Sequence, residues 1–237
     1  MKQSFAVFDI DGTLIRWQLY HAIADALVRL GYVEPEVFQP VKDARMTWKR
    51  RLHSESFKDY ERRLVAAYEA LLSQLTIKQF EEAAQAVFDE YKDQVYTYTR
   101  DLIRDLKQRG YLLFAISNSQ MEIVEKVTKY YGFDDWVGAI YEQSNGRFTS
   151  QVKVHLNDKD SVLRQLVAKH KASWKDSLAV GDSLSDASML EIVENPIAFN
   201  PEQKLFRLAK RQGWTIVIER KNVVYKLGPS NGTYILA

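Results

Sequence analysis

Phe5-Ala-Val-Phe8-Asp9-Ile10-Asp11-Gly12-Thr13 is the stretch on which the fold turns. Four apolar residues without polar alternation read as a strand buried on both faces, the pattern of a parallel sheet. The run ends at a carboxylate and a glycine, so the strand delivers Asp9 at its C-terminal end. It is too short for a signal peptide or a membrane helix, and no later stretch reaches the roughly 18 apolar residues that a span requires.

Working outward, Leu19, Ile23, Leu27 and Leu30 recur at helical spacing, and Gly31 suits the cap that ends a helix. Further helices are expected from Lys42 to Leu52 and from about Phe57 to Leu75. Thr76 with Gln79 makes a capping box for a fourth, carrying Phe80, Ala84, Val87 and Phe88 inward. Beyond Tyr98 the pattern changes to helices alternating with short apolar strands. Strands are expected at Tyr111 to Ile116, Trp136 to Tyr141, Leu178 to Val180, Ile197 to Phe199 and Thr215 to Ile218. Ser119 and Glu122 read as the cap of the helix after the first of these, and Asn145-Gly146 as a hairpin turn. Repeated βα units imply an α/β fold, a doubly wound (Rossmann-like) parallel-sheet core. Residues 1–15 and 99–237 make that core, and residues 16–98 are an inserted all-helical cap domain. The tail from Lys221, with Gly228-Pro229 and Asn231-Gly232, reads as a terminal hairpin without an assigned role.

Composition narrows the function. Lys plus Arg is 33 against 31 for Asp plus Glu, a net +2, too even for a nucleic-acid binder. Apolar residues at 46% argue against disorder. Cysteine is absent, which excludes disulfides and thiolate metal sites and fits a reducing cytoplasm. The expectation is a cytoplasmic protein without a membrane or nucleic-acid partner. His21, His53, His155 and His170 show no ligand spacing.

Ligands of an open α/β sheet bind beyond the carboxyl ends of its strands. Polar residues collect there: Asp9 and Asp11, Ser117 and Asn118, then Asp182 and Asp186, with Lys159 at the start of a helix. Carboxylates converging on one spot repel unless a cation lies between them. Oxygen donors without His or Cys select Mg²⁺, an ion that also binds phosphate. Lys159, the Ser117 hydroxyl and Asn118 can then serve a phosphoryl group. A carboxylate nucleophile can accept that group, and a second carboxyl two residues on can protonate the leaving oxygen. Blander readings exist for each: Asp-Gly is turn chemistry, Ser117 a cap, Lys159 a solvated lysine in competition with Lys153 and Lys169.

Together, Asp9-Ile10-Asp11-Gly12-Thr13, Ser117, Lys159 and Gly181-Asp182-Ser-Leu-Ser-Asp186 resemble the four motifs of the haloacid-dehalogenase superfamily, in the order of its phosphoserine-phosphatase-like branch. The resemblance spans about residues 5 to 218. It implies Asp9 as nucleophile and Asp11 as acid/base. It also implies Mg²⁺ held by Asp9, the Asp11 backbone carbonyl and Asp182, with Asp186 nearby, and a cap that covers the site. The expected activity is hydrolysis of a small phosphomonoester through an aspartyl-phosphate. The alternatives are a non-catalytic binding or regulatory protein on the same scaffold, and a dehalogenase, which would need neither Asp11 nor a metal. Two departures stand out. Asn118 and Ser119 follow Ser117 where phosphoserine phosphatases have glycines. Arg16-Trp17-Gln18 stands where relatives acting on phosphoserine carry an acid for the substrate ammonium, so these three residues are the candidates for a different specificity.

Overall fold

The computed structural model describes residues 2–53, 55–154, 158–230 and 233–236. In chain order its strands and α-helices are β1 Ser4–Phe8, α1 Leu19–Arg29, α2 Gln39–Lys49, α3 Ser56–Leu72, α4 Ile77–Tyr91, α5 Thr97–Gln108, β2 Leu112–Gln120, α6 Met121–Tyr131, β3 Asp135–Ser144, β4 Arg147–Val154, α7 Lys159–His170, β5 Ser173–Gly181, α8 Ala187–Leu190, β6 Asn195–Phe199, α9 Gln203–Gln212, β7 Thr215–Arg220, β8 Val223–Ser230 and β9 Thr233–Leu236.

The sheet order is β4-β3-β2-β1-β5-β6-β7-β8-β9. From β3 to β7 every neighbouring pair is parallel; β4, β8 and β9 join antiparallel. From β1 the chain steps outward one way to β2 and β3, then returns to β1's other side for β5, β6 and β7. With right-handed crossovers, that reversal puts helices on both faces, which is the doubly wound fold. Phe5, Ala6, Val7 and Phe8 have no exposed surface, as expected of a strand covered on both sides.

Contact density divides the chain into two compact units. The first is Met1–Gln18, Tyr91–Ala139 and His155–Ala237; the second is Leu19–Glu90 and Ile140–Val154. The insertion between β1 and α5 is helical, but the expected division at 16–98 needs correction. The hairpin of β3 and β4, assigned to the core from the sequence, packs with the helices. Phe148 sets its ring edge-on to Phe80 at 5.2 Å. Arg147 donates to the Gln74 carbonyl at 2.7 Å, and Ile77 N–H to the Gly146 carbonyl at 3.0 Å. Asn145 (φ 50°) and Gly146 (φ 74°) supply the two left-handed residues of a tight hairpin turn.

Within the second unit, Leu64, Tyr68, Leu71 and Leu72 of α3 and Phe80, Ala84 and Val87 of α4 are buried, and the Tyr68 and Phe80 rings meet edge-on at 6.4 Å. The Thr76–Gln79 capping box forms: Gln79 N–H reaches the Thr76 hydroxyl at 3.2 Å, and Thr76 N–H reaches the Gln79 side chain at 2.9 Å. Helix α2 begins at Gln39 rather than Lys42, because Pro40 sits in a first turn that needs no N–H donor there. Ser119 is not a helix cap. Pairing with β3, resumed at Gln120↔Ala139 after a register shift, carries β2 on to Gln120, and α6 starts only at Met121. In the tail, β8 and β9 pair antiparallel through Ser230↔Thr233; the proposed turn at Asn231-Gly232 lies outside the described residues. No helix among the described residues is long and apolar enough to cross a membrane.

Candidate active site

The register fixes the site. Phe8 is level with Ala115 of β2 and with Val180 of β5, so Asp9, Ile116 and Gly181 form the next row across three parallel strands. This row lies where the strand order reverses, the place at which an open α/β sheet leaves a crevice.

Lys159 occupies the centre, 1% exposed. Its ammonium donates to Asp9 Oδ1 at 2.7 Å, Asp186 Oδ1 at 2.6 Å and the Ile116 carbonyl at 3.0 Å. All three N–H donors are thereby used. Burial opposes its charge, but Asp186 and Asp9 outweigh burial and hold the ammonium above its ordinary pKa.

Asp186 is wholly buried. Its Oδ2 accepts the N–H groups of Asp182 at 3.0 Å and Ser183 at 2.9 Å, with the Ser183 hydroxyl at 3.2 Å. These bonds fold the chain after β5 into a tight capping turn that aims Asp182. Gly181 is required by space, since a Cβ there would collide with Asp186.

The loop after β1 is built to a similar end. Gly12 has φ +79°, and a Cβ would run into Asp182 Oδ2. The Ile10 carbonyl accepts from Leu14 and Ile15, both at 2.9 Å. Asp11 accepts the Ser117 hydroxyl at 2.8 Å, and Ser117 in turn accepts the Ser119 N–H at 3.0 Å. The buried Thr99 hydroxyl holds the Thr13 carbonyl at 2.8 Å.

Asp9, Asp182 and Asp186 each offer a carboxylate oxygen, all within 4.8 Å of one another. Burial drives Asp9 up to about 8; Lys159 pulls it down, while Asp186 and Asp11 push it further up. Asp182 lies well above the carboxylate range, first through burial, then through Asp9 and Asp186. Three carboxylates thus face one ammonium, an excess of negative charge that a further cation would relieve. The donors are hard oxygens, which suits a hard divalent ion.

Of the residues singled out in the sequence, Asp9, Asp11, Ser117, Lys159, Asp182 and Asp186 come together. Asn118 is exposed at the end of β2. Arg16 is exposed with its guanidinium 5.1 Å from the Tyr96 ring centroid, and Trp17 and Gln18 are half-buried. Sequence reading passed over Thr99, the close approach demanded of Gly12 and Gly181, and Glu202. Glu202 N–H donates to the Asp182 carbonyl at 2.8 Å and its carboxylate accepts Leu184 N–H at 3.0 Å. A glycine beside each motif carboxylate is a signal that was there to read; the Thr99 hydroxyl and the Glu202 carboxylate bond to backbone groups of distant segments, which leaves no pattern.

The model of the haloacid dehalogenase-like hydrolase family matches residues 6–191. The chain belongs to that family. Among its curated members, this one is 26% identical over 136 residues to the phosphoserine phosphatase SerB1 of Mycobacterium tuberculosis, covering 56% of this chain and 44% of that protein. It is 24% identical over 229 residues to a histidinol-phosphatase of Neisseria meningitidis, covering 91% and 98%. The chain spans about half the length of the mycobacterial relatives it matches. In fold it resembles the solved structure of a phospho-aspartyl intermediate analogue of phosphoserine phosphatase, with TM-score 0.62 and 23% identity over 94% of this chain and 96% of that one.

Proposed function

We propose that this chain is a Mg²⁺-dependent phosphatase that hydrolyses a small phosphomonoester through an aspartyl-phosphate on Asp9. The observation that carries the reading is a buried Asp9 bonded to Lys159, with Asp182 and Asp186 converging on the same point.

In this reading a carboxylate oxygen of Asp9 attacks phosphorus and the ester oxygen departs. Asp11, oriented by Ser117, gives that oxygen its proton. Asp11 then takes a proton from the water that cleaves the aspartyl-phosphate, releasing inorganic phosphate and restoring both carboxyl groups. Lys159 opposes the rise that burial imposes on Asp9 and so favours the ionised nucleophile, and one of its three bonds is given up when it meets a phosphoryl oxygen. Asp9 and Asp182 would hold Mg²⁺, which supplies charge stabilisation to the phosphoryl group. Asp186, its oxygens already bonded to Lys159 and the loop backbone, holds Asp182 in place. The cysteine-free sequence supports a cytoplasmic setting.

Hydrolysis of a generic aryl phosphate is the test. Activity with Mg²⁺, loss in EDTA and poor replacement by Ca²⁺ are expected, since Ca²⁺ takes more ligands at longer distance. Full activity in EDTA refutes the metal assignment, and no hydrolysis under any condition favours a binding protein.

A further inference from the structure

We infer that Glu202 is a positioning residue for the metal loop, fixing Asp182 through the backbone; the inference rests on the metal-dependent reading above. Asp182 is held on both sides of its Cα. Its N–H is bonded to Asp186 Oδ2 at 3.0 Å, and its carbonyl accepts the Glu202 N–H at 2.8 Å. The Glu202 carboxylate then takes Leu184 N–H at 3.0 Å, so a single residue grips the loop at two points on either side of Ser183.

The direction of the side chain argues for this role. Glu202 is the N-cap residue of α9, yet its side chain makes no capping bond to that helix. A carboxylate at a helix N-terminus normally finds its donors in the first turn. Here it turns to a neighbouring loop instead, and forgoes the local bond.

The residue is itself anchored. Two positions before it, Asn200 adopts φ 42°, donates its N–H to the Val217 carbonyl at 2.8 Å and accepts Glu219 N–H at 2.8 Å. The Glu219 carboxylate, buried, accepts the N–H groups of Thr97 at 3.1 Å and Tyr98 at 2.8 Å at the start of α5. From the same helix Thr99 bonds the Thr13 carbonyl. Hydrogen bonds, joined by the short covalent steps from Asn200 to Glu202 and from Tyr98 to Thr99, therefore connect the loop carrying Asp182 to the loop carrying Asp9, and Glu202 is the last link.

Two substitutions with opposite chemistry test the inference. Glu202→Asp keeps the charge and a strong helix cap but is one methylene too short for Leu184 N–H. Glu202→Gln loses the charge but keeps an acceptor oxygen at the same reach. Mg²⁺ binding is read by calorimetry on wild type and both variants, each checked for folding by circular dichroism. Wild type and Glu202→Gln are expected to bind alike, with Glu202→Asp weaker by about fivefold or more. Binding by Glu202→Asp equal to wild type overturns the inference, and so does Glu202→Gln weakened as much as Glu202→Asp, which would mark an effect of charge. A wild type that binds no Mg²⁺ overturns the metal reading itself, a result distinct from either.

Discussion

The two compact units bury polarity in different ways. In the first, Asp9, Lys159, Asp186 and Glu219 are all buried with charge-bearing side chains. In the second, among the described residues, no Asp, Glu, Lys or Arg is buried, and the buried His21 is kept neutral by its surroundings. Its ion pairs, such as Arg29–Glu90 with side chains 55% and 41% exposed, stay at the surface where each is worth little. Burying a charge costs several kcal/mol unless it is paired. A fold that needs only stability follows the second unit. The first unit carries that cost most heavily at the reversal point of the sheet, where Asp9, Lys159 and Asp186 meet, and once more at Glu219 on β7, whose carboxylate takes two N–H groups at the start of α5.

The largest expected effect tests whether that cost serves catalysis. Asp9→Asn keeps the shape and removes the nucleophile, so aryl-phosphate turnover should fall more than about 100-fold. The fold should survive, because the substitution deletes a carboxylate whose ionised form burial disfavours. Retention of more than about a hundredth of wild-type activity would dismiss Asp9 as nucleophile.

A second pair of variants sharpens the contrast inside the first unit. Asp186 is saturated by Lys159, two backbone N–H groups and a hydroxyl, whereas Asp182 is held well above the carboxylate range by burial and its acidic neighbours. Asp186→Asn should therefore cost about 3 kcal/mol, the penalty for breaking a buried pair. Asp182→Asn, measured in EDTA, should leave Tm unchanged or raise it, while raising the Mg²⁺ concentration needed for activity. Equal losses of Tm in the two variants would mean that the carboxylates do not divide into holder and held.

This division explains what the sequence could disclose. A carboxylate ending an apolar run names itself, because a buried strand has no folding use for Asp9, and Asp182 repeats the sign after Gly181. Lys159 was harder, since Lys169 competed; the structure pairs Lys169 with Asp135 at 2.7 Å instead. The fold was legible through strand periodicity. The allegiance of the β3–β4 hairpin was not, because it depends on Phe148 meeting Phe80 and Arg147 meeting Gln74, contacts between segments far apart in the chain. The cap assigned to Ser119 failed for a similar reason: pairing with β3 prolonged β2 past the point where local propensity would have ended it.

In the second unit the corresponding test is one of pH. Burial, reinforced by Arg45, lowers His21 to about 3 from 6.5. The folded state therefore refuses a proton that the unfolded chain accepts below about 6.5. The contribution of neutral His21 is present above that pH and is lost progressively as pH falls towards about 3. At pH 5 the loss is about 2 kcal/mol. His21→Phe, which keeps a ring against Tyr60, should lack this component. The check is denaturant unfolding at pH 5 and pH 7.5 for both proteins. An identical pH dependence in the two would show that His21 is not buried as a neutral group.

The smallest expected effect falls on Arg16-Trp17-Gln18, which follows the loop carrying Asp9 and Asp11 and precedes α1. We predict that phosphoserine is a poor substrate compared with some other small phosphomonoester, and the relatives named for phosphoserine and for histidinol phosphate do not point to one answer. Tyr96 links this segment to the site. Its hydroxyl pKa is raised by burial and then by Asp182, while Arg16 opposes that rise from above the ring. Arg16 thus places positive charge in the neighbourhood of the carboxylates, where a substrate ammonium would be repelled. Gln18 can hydrogen-bond but cannot pair with that ammonium, and leaving it buried and unpaired costs several kcal/mol. An anionic or flat leaving group is better served by Arg16 and Trp17, through charge and stacking. The measurement is kcat/KM across phosphoserine, sugar phosphates, nucleotides and glycerol-type phosphates. A preference for phosphoserine of tenfold or more, about 1.4 kcal/mol in the transition state, would mean that an acid elsewhere receives the ammonium and that Gln18 does not set the specificity.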